Sequence, residues 1–165
     1  MAAGSTYTPI ATTTASGSVT EITFSSIPST YTDLVISVNG SLGAGATLYA
    51  LVMNLNGDAN TANYSYTRLQ GNGTSATSNR ASSDAAIGLI AETASMDIIN
   101  IMNYSNANLY KTSISRASST YSGDGRTAGY VSMWRNNAVV TSVTLKTSVN
   151  FTSATTFTLY GIAAA

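Results

Sequence analysis

From residue 19 onward this chain is dominated by short runs in which apolar and polar side chains alternate, each stopped by Gly, Pro, Asn or Asp after about 6–10 residues. Alternation with a period of two puts every second side chain on one face of an extended strand. VTEITFSSI sets Ile22 and Phe24 on one face and Glu21 and Thr23 on the other, and Pro28 ends the run. TDLVISVNG follows, with Leu34, Ile36 and Val38 inward. TLYALVMNLNGD closes on Asn56-Gly57-Asp58, and NYSYTRLQGNG on Asn72-Gly73, pairs that tolerate positive φ and so make turns. MDIINIMNY, LYKTSISRA, GYVSMWRN, VVTSVTLKT and TFTLYGIA continue the pattern. A 3.6-residue period is nowhere sustained, and no repeat of fixed spacing is evident.

The fold class that follows is all-β: an antiparallel β-sandwich, jelly-roll-like, of about 8–10 strands. Its 165 residues suit a single β-sandwich domain over 1–165, with residues 1–15 free to form an extended N-terminal arm. The pattern fades over 74–94, a small and polar stretch with a short apolar patch at Ile87, Leu89 and Ile90. It reads as a long loop, with at most one helical turn started by Asp84, since Gly88 opposes anything longer.

Three strands carry apolar atoms on both faces. In TLYALVMNL, Tyr49, Leu51 and Met53 lie opposite Leu48, Ala50 and Val52. In MDIINIMNY, Ile99 and Ile101 lie opposite Met96, Ile98 and Met102. In TFTLYGI, Phe157 and Leu159 lie opposite Tyr160 and Ile162. A sandwich strand shows one face to the core and one to water, so the second apolar face needs a cover. Two covers are open: the 74–94 loop, or a subunit interface. Under the second reading the candidate interface comprises Tyr49, Leu51, Met53, Ile99, Ile101, Tyr130 and Trp134. Tyr130 and Trp134 share one strand face, placed to stack on a sugar, to fill a partner's pocket or to sit in the core.

Charge narrows the partners. Formal net charge is zero and charged residues are 8% of the chain, against roughly 25% in an ordinary soluble domain. Without a basic stripe, the electrostatic footprint of a nucleic-acid binder is missing. No stretch approaches the roughly 18 apolar residues of a membrane span, and MAAGSTYTPIATTT lacks the basic and apolar regions of a secretory signal. Nucleic acid and membrane are therefore not expected partners.

The chemical inventory is thin. The chain has no Cys and no His, which removes thiolate ligands, the usual general base and the commonest zinc ligand. A Ser–Lys dyad would need Lys111 or Lys146, both at alternating positions that read as solvent-facing. The carboxylates Glu21, Asp33, Asp58, Asp84, Glu92, Asp97 and Asp124 fall mostly at turns and strand ends, where Asp bends and caps backbone. Asn56, Asp58 and Asn60 alternate like oxygen ligands of a calcium loop, but the glycine and terminal Glu of an EF-hand are absent. No catalytic residue, cofactor or metal is assigned.

YTPIATTT, FSSIPSTYTDLVISVNG, LNGD followed by NYSYTRLQGNG, and the closing FTLYGI resemble motifs of small β-sandwich virion structural proteins of tailed bacteriophages. That group spans capsid decoration (cement) proteins, head fibres and tail-fibre-like proteins. The resemblance covers most of the chain and is strongest at 7–40, 54–73 and 157–162, while 74–130 contributes nothing to it. It implies that Phe24, Pro28, Tyr31, Leu34, Asn56, Gly57, Asp58, Tyr64, Leu159, Tyr160 and Gly161 carry the fold, and it brings no catalytic residue.

The expected function is accordingly a capsid decoration (cement) protein, not an enzyme. It would sit on the capsid surface of the virion after synthesis in the host bacterial cytoplasm. Its partners would be the major capsid protein of a phage head and copies of itself, as a trimer or dimer. The alternative is a receptor-binding tip domain of a tail or head fibre that recognises host-surface glycan. Exposed aromatics beside Asn or Asp in an apical loop would mark that alternative, and Tyr121, Asp124 and Arg126 are its candidates.

Overall fold

A computed structural model describes residues 6–43, 45, 47–121 and 124–163, apart from the side chain of Tyr121. Twelve strands run in chain order: β1 (Tyr7–Thr14), β2 (Glu21–Phe24), β3 (Asp33–Gly40), β4 (Leu48–Leu55), β5 (Tyr64–Gly71), β6 (Ala76–Ala81), β7 (Ala86–Ala91), β8 (Ala94–Met102), β9 (Lys111–Tyr121), β10 (Asp124–Trp134), β11 (Val143–Lys146) and β12 (Thr156–Ile162). A single 3-10 turn at Thr61–Asn63 is the helical content among the described residues. The strands form an eight-stranded sheet, β1-β12-β3-β8-β9-β10-β5-β6, and a four-stranded sheet, β2-β11-β4-β7. Neighbours pair antiparallel throughout. The all-β sandwich is as expected.

The topology is that of a jelly roll with two insertions. β1-β12-β3-β8 faces β2-β11-β4-β7, and the chain crosses between the layers in the double Greek-key order. Two hairpins, β5–β6 and β9–β10, are inserted into that path and together widen one sheet from four strands to eight. Leu34, Ile36 and Val38 of β3, Leu51 and Leu55 of β4, and Phe157 and Leu159 of β12 meet between the layers with at most 1% exposure. Phe151 and Phe157 pack edge to face at 5.0 Å, the geometry that aromatic quadrupoles favour.

Two expectations are corrected here. Residues 74–94 are not a loop with a helical turn but contain β6 and β7. β6, ATSNRA, is an edge strand exposed on nearly all positions, so its sequence carries no apolar alternation. β7, AIGLIA, is buried at every position, and a short continuous apolar run does not reveal strand or helix by periodicity. Asp84 does not open a helix; its Oδ1 accepts the Ala86 N–H at 2.9 Å, just before β7. The N-terminal arm, in turn, is a strand for most of its described length. Tyr7–Thr14 pairs with β12, with a register shift between Pro9 and Ala11. A proline and an irregularity on an edge strand hinder further pairing there.

The closing strand is thereby covered on one face by the molecule itself. Phe157 and Leu159 point into the sandwich, and the Tyr31 ring lies so close over Gly161 that any Cβ there would overlap it. Thr158, Tyr160 and Ile162 point to the other side of the large sheet and are half-buried.

Candidate functional site

The groups best suited to chemistry are spent on the fold. After β4, Asn56 and Gly57 take φ of 53° and 70°, the successive positive values that Asn-Gly provides most readily. The turn closes through Asp58 N–H donating to the Leu55 carbonyl at 3.0 Å. It then becomes a hub. Asp58 Oδ2 accepts from Trp134 Nε1 at 2.7 Å and from Asn63 Nδ2 at 2.8 Å, while Oδ1 accepts the Asn60 N–H at 3.0 Å. Its backbone carbonyl accepts from Asn54 Nδ2 and from the Tyr64 hydroxyl, both at 2.9 Å. Burial opposes the charged form of Asp58, but the bonds from Trp134, Asn63 and Asn60 outweigh it and hold its pKa below the ordinary value.

Asn56 Oδ1 accepts from the Thr141 and Ser142 amides, and Asn60 Oδ1 from Ala62 N–H. The three residues that mimic a calcium loop thus spend their side-chain oxygens on hydrogen bonds within the protein, Asn56 and Asn60 on backbone amides and Asp58 on Trp134, Asn63 and the Asn60 amide. Among the described residues no cluster of three or more His, Cys, Asp or Glu is placed to hold a metal.

Lys111 corrects another expectation. It is not solvent-facing but 1% exposed, and its ammonium donates to the carbonyls of Asn106, Leu109 and Asn137 at 2.6, 2.7 and 3.1 Å. Burial lowers its pKa. It ties the 103–110 loop to the segment after β10 rather than activating a nucleophile. Lys146, half-buried, stands opposite Glu21 in the β11–β2 ladder.

A second polar system joins the two sheets. β7 is an edge strand of the small sheet, paired with β4 alone, and its free edge is buried against the large sheet. Buried backbone groups must find partners, and here side chains of the large sheet supply them. Ser132 donates to the Ala86 carbonyl, Ser115 to Ile87 and Ser119 to Leu89, while Ser95 accepts the Ala91 amide. Asp97 Oδ1 accepts the Leu89 amide at 3.2 Å, and its Oδ2 is buried without a partner. Desolvation raises the Asp97 pKa to about 8, against the smaller opposing effect of the Leu89 bond.

These serines invert the reading of β9. Lys111, Ser113, Ser115, Ala117 and Ser119 face inward, and Ile114 faces out. The seven candidate interface residues are placed accordingly. Leu51, Met53, Ile99, Ile101, Tyr130 and Trp134 are buried between the sheets, and Tyr49 is half-buried beside them. Trp134 stacks with Tyr64 at 6.4 Å, and the Tyr130 hydroxyl accepts from Arg68. None of the six buried side chains is open to a partner; β7, from within the 74–94 stretch, helps to cover them.

The exposed apolar side chains lie instead on the outer face of the eight-stranded sheet. Met96 of β8, Ile114 of β9, Val131 and Met133 of β10 and Leu69 of β5 are 39–65% exposed there. The register makes them neighbours. Ile114 stands between Asn100 and Val131, Thr112 between Met102 and Met133, and Gly129 between Arg116 and Leu69. Beside this face, the 103–110 loop holds out Leu109 and Tyr110, 51% and 57% exposed, next to Asn103 and Asn108.

Of the apical candidates, the Tyr121 side chain lies outside the described residues, Asp124 accepts its neighbour Gly125's N–H, and Arg126 is half-buried. No family model, curated protein or solved structure matches this chain.

Proposed function

We propose that this protein is a structural component of a tailed-phage particle, a capsid decoration protein that binds the outer head surface and braces neighbouring capsomers. The observation that carries this reading is a division of labour among its residues. Asp58, Asp97 and Lys111 are tied into the fold by named bonds, while a broad sheet face of Ser, Thr, Asn and apolar side chains is left open. A rigid sandwich presenting such a face acts by area, and many weak copies of one contact gain strength through avidity. The motifs that resemble phage virion proteins supply the framework behind that face. β1, β12 and β3 are adjacent strands, and the Asn56–Tyr64 segment is the hub that locks Trp134.

The test is copy number on particles of the phage that encodes the chain. Contacts with so little charge should survive a wash at about 1 M salt, where the Debye length is roughly 3 Å. Hundreds of copies retained on heads are expected; loss of the protein in the wash would overturn the reading.

One observation favours a second reading, a receptor-binding tip. Tyr110, exposed beside Asn103 and Asn108 in one loop, has the composition of a glycan contact. A handful of copies found only on tails or fibres would support it.

A further inference from the structure

The chain carries three Asn-Gly pairs, Asn39-Gly40, Asn56-Gly57 and Asn72-Gly73, and the fold places them in three different settings. Such a pair is able to react with itself, because glycine, lacking a Cβ, lets its backbone nitrogen approach the preceding side-chain amide. We propose that Asn72 is a self-modification site, converted by the Gly73 backbone into aspartate and isoaspartate in the folded protein, while Asn39 and Asn56 are protected. The proposal concerns the isolated protein and does not depend on a phage particle.

The turn between β5 and β6 assembles the reaction. Asn72 Oδ1 accepts from the Thr74 and Ser75 amides at 3.2 and 2.9 Å and from the Thr74 and Ser75 hydroxyls at 3.0 and 3.1 Å. Donors converging on one carbonyl oxygen draw electrons from Cγ and point to where negative charge develops when a nucleophile adds. Among the described residues, neither the attacking Gly73 N–H nor the departing Asn72 Nδ2 has a hydrogen-bond partner. Gly73, Thr74 and Ser75 are exposed, so water reaches the turn. The Gly73 nitrogen gives its proton to solvent and bonds to Asn72 Cγ; the Cγ–Nδ2 bond breaks and Nδ2 leaves as ammonia. Water then opens the cyclic imide at one carbonyl or the other, which gives aspartate or isoaspartate.

The other two pairs lack this arrangement. Asn56 Nδ2 donates to the Val139 carbonyl at 2.7 Å, and Oδ1 is held by the Thr141 and Ser142 amides. Ring closure there would tear the β4 turn from the 139–142 segment. Asn39 and Gly40 end β3, with Asn39 in register between β12 and β8 and Gly40 packed against Thr155. The ladder holds that backbone extended, whereas the ring needs ψ of the asparagine to rotate away. At Asn72 the turn is closed by the Asn72 N–H bond to the Ser75 carbonyl at 3.2 Å, at the exposed end of an edge hairpin. Conversion adds one negative charge to a chain whose formal net charge is zero, so the product separates by isoelectric focusing.

Peptide mapping by mass spectrometry, after the folded full chain is held in mildly alkaline buffer, tests this. Acid should accumulate at Asn72 well before Asn39 or Asn56, as two products, one of them matching the peptide from an Asn72→Asp variant. Thr74→Val with Ser75→Ala removes the two hydroxyl donors from an exposed turn and should slow the conversion about fivefold. Circular dichroism reads the fold separately. Asn72 converting no faster than Asn39 and Asn56, or at an unchanged rate in the double variant, would overturn the proposal.

Discussion

Asp97 on β8 receives the backbone N–H of Leu89 on β7 at 3.2 Å, so one carboxyl group crosses from the large sheet to the small one. Gly88 makes room for it: a Cβ at that position would overlap the carboxyl group. Tyr130 of β10 is the other titratable group that senses Asp97, with its hydroxyl held by Arg68. An acid whose pKa rises on folding to about 8 binds its proton more tightly in the native state. Stability is therefore complete below the unfolded value of 3.8 and falls as pH climbs towards 8. The slope from this group approaches about 1.4 kcal/mol per pH unit inside that window.

Thermal melts between pH 5 and pH 9 should show that decline. Asp97→Asn keeps an acceptor for Leu89 and removes the titration, so its melting temperature should vary much less and exceed the wild type's at pH 9. An unchanged pH profile in the variant would reject the assignment. Gly88→Ala, which forces the two groups apart, should cost more than about 2 kcal/mol at any pH.

Asp58 works in the opposite direction. Its folded pKa is depressed, so its contribution is present above 3.8 and lost as pH falls through the lower folded value. Trp134→Phe removes the 2.7 Å donor while keeping an aromatic body, and should cost about 1–3 kcal/mol. Urea titrations at pH 7 give the size of the loss. They should also show the variant's deficit shrinking in acid, as the carboxylate left with only the Asn63 and Asn60 donors is protonated.

Lys111→Met keeps an unbranched side chain, one atom shorter, and removes the three bonds to Asn106, Leu109 and Asn137. Three loop carbonyls lose their donor, at a cost of about 1–3 kcal/mol in stability. Hydrogen exchange should show protection lost first in the 103–110 and 135–140 segments. A uniform loss over the whole sandwich would mean that Lys111 supports the core rather than those loops.

Alternation identified strands wherever one face meets water. β3 shows this best, with Leu34, Ile36 and Val38 inward as read. The Asn56-Gly57 turn was equally legible, because two positive φ values in a row leave few other residue choices. What failed was orientation within the inserted hairpin. In β9 the serines face in because the free edge of β7 needs hydrogen-bond partners there, and Ile114 faces out. Hydrophobicity alone ranks those positions the other way. A parity clue was available in β8, where Asp97 falls on the same face as Ile99 and Ile101 and so must be buried with them. The interface residues were sought among the strongest apolar positions, which the sandwich uses for its own core. The open face is spread over six strands at one or two residues each, and no single strand displays it.

The most direct measurement is a cryo-electron map of the particle whose genome encodes this chain. The jelly roll should be found at many equivalent positions of the head lattice, with the outer face of its large sheet against capsid protein of neighbouring capsomers. Density confined to the tail, or sandwiches with the face bearing Ile114 and Val131 open to solvent, would contradict it.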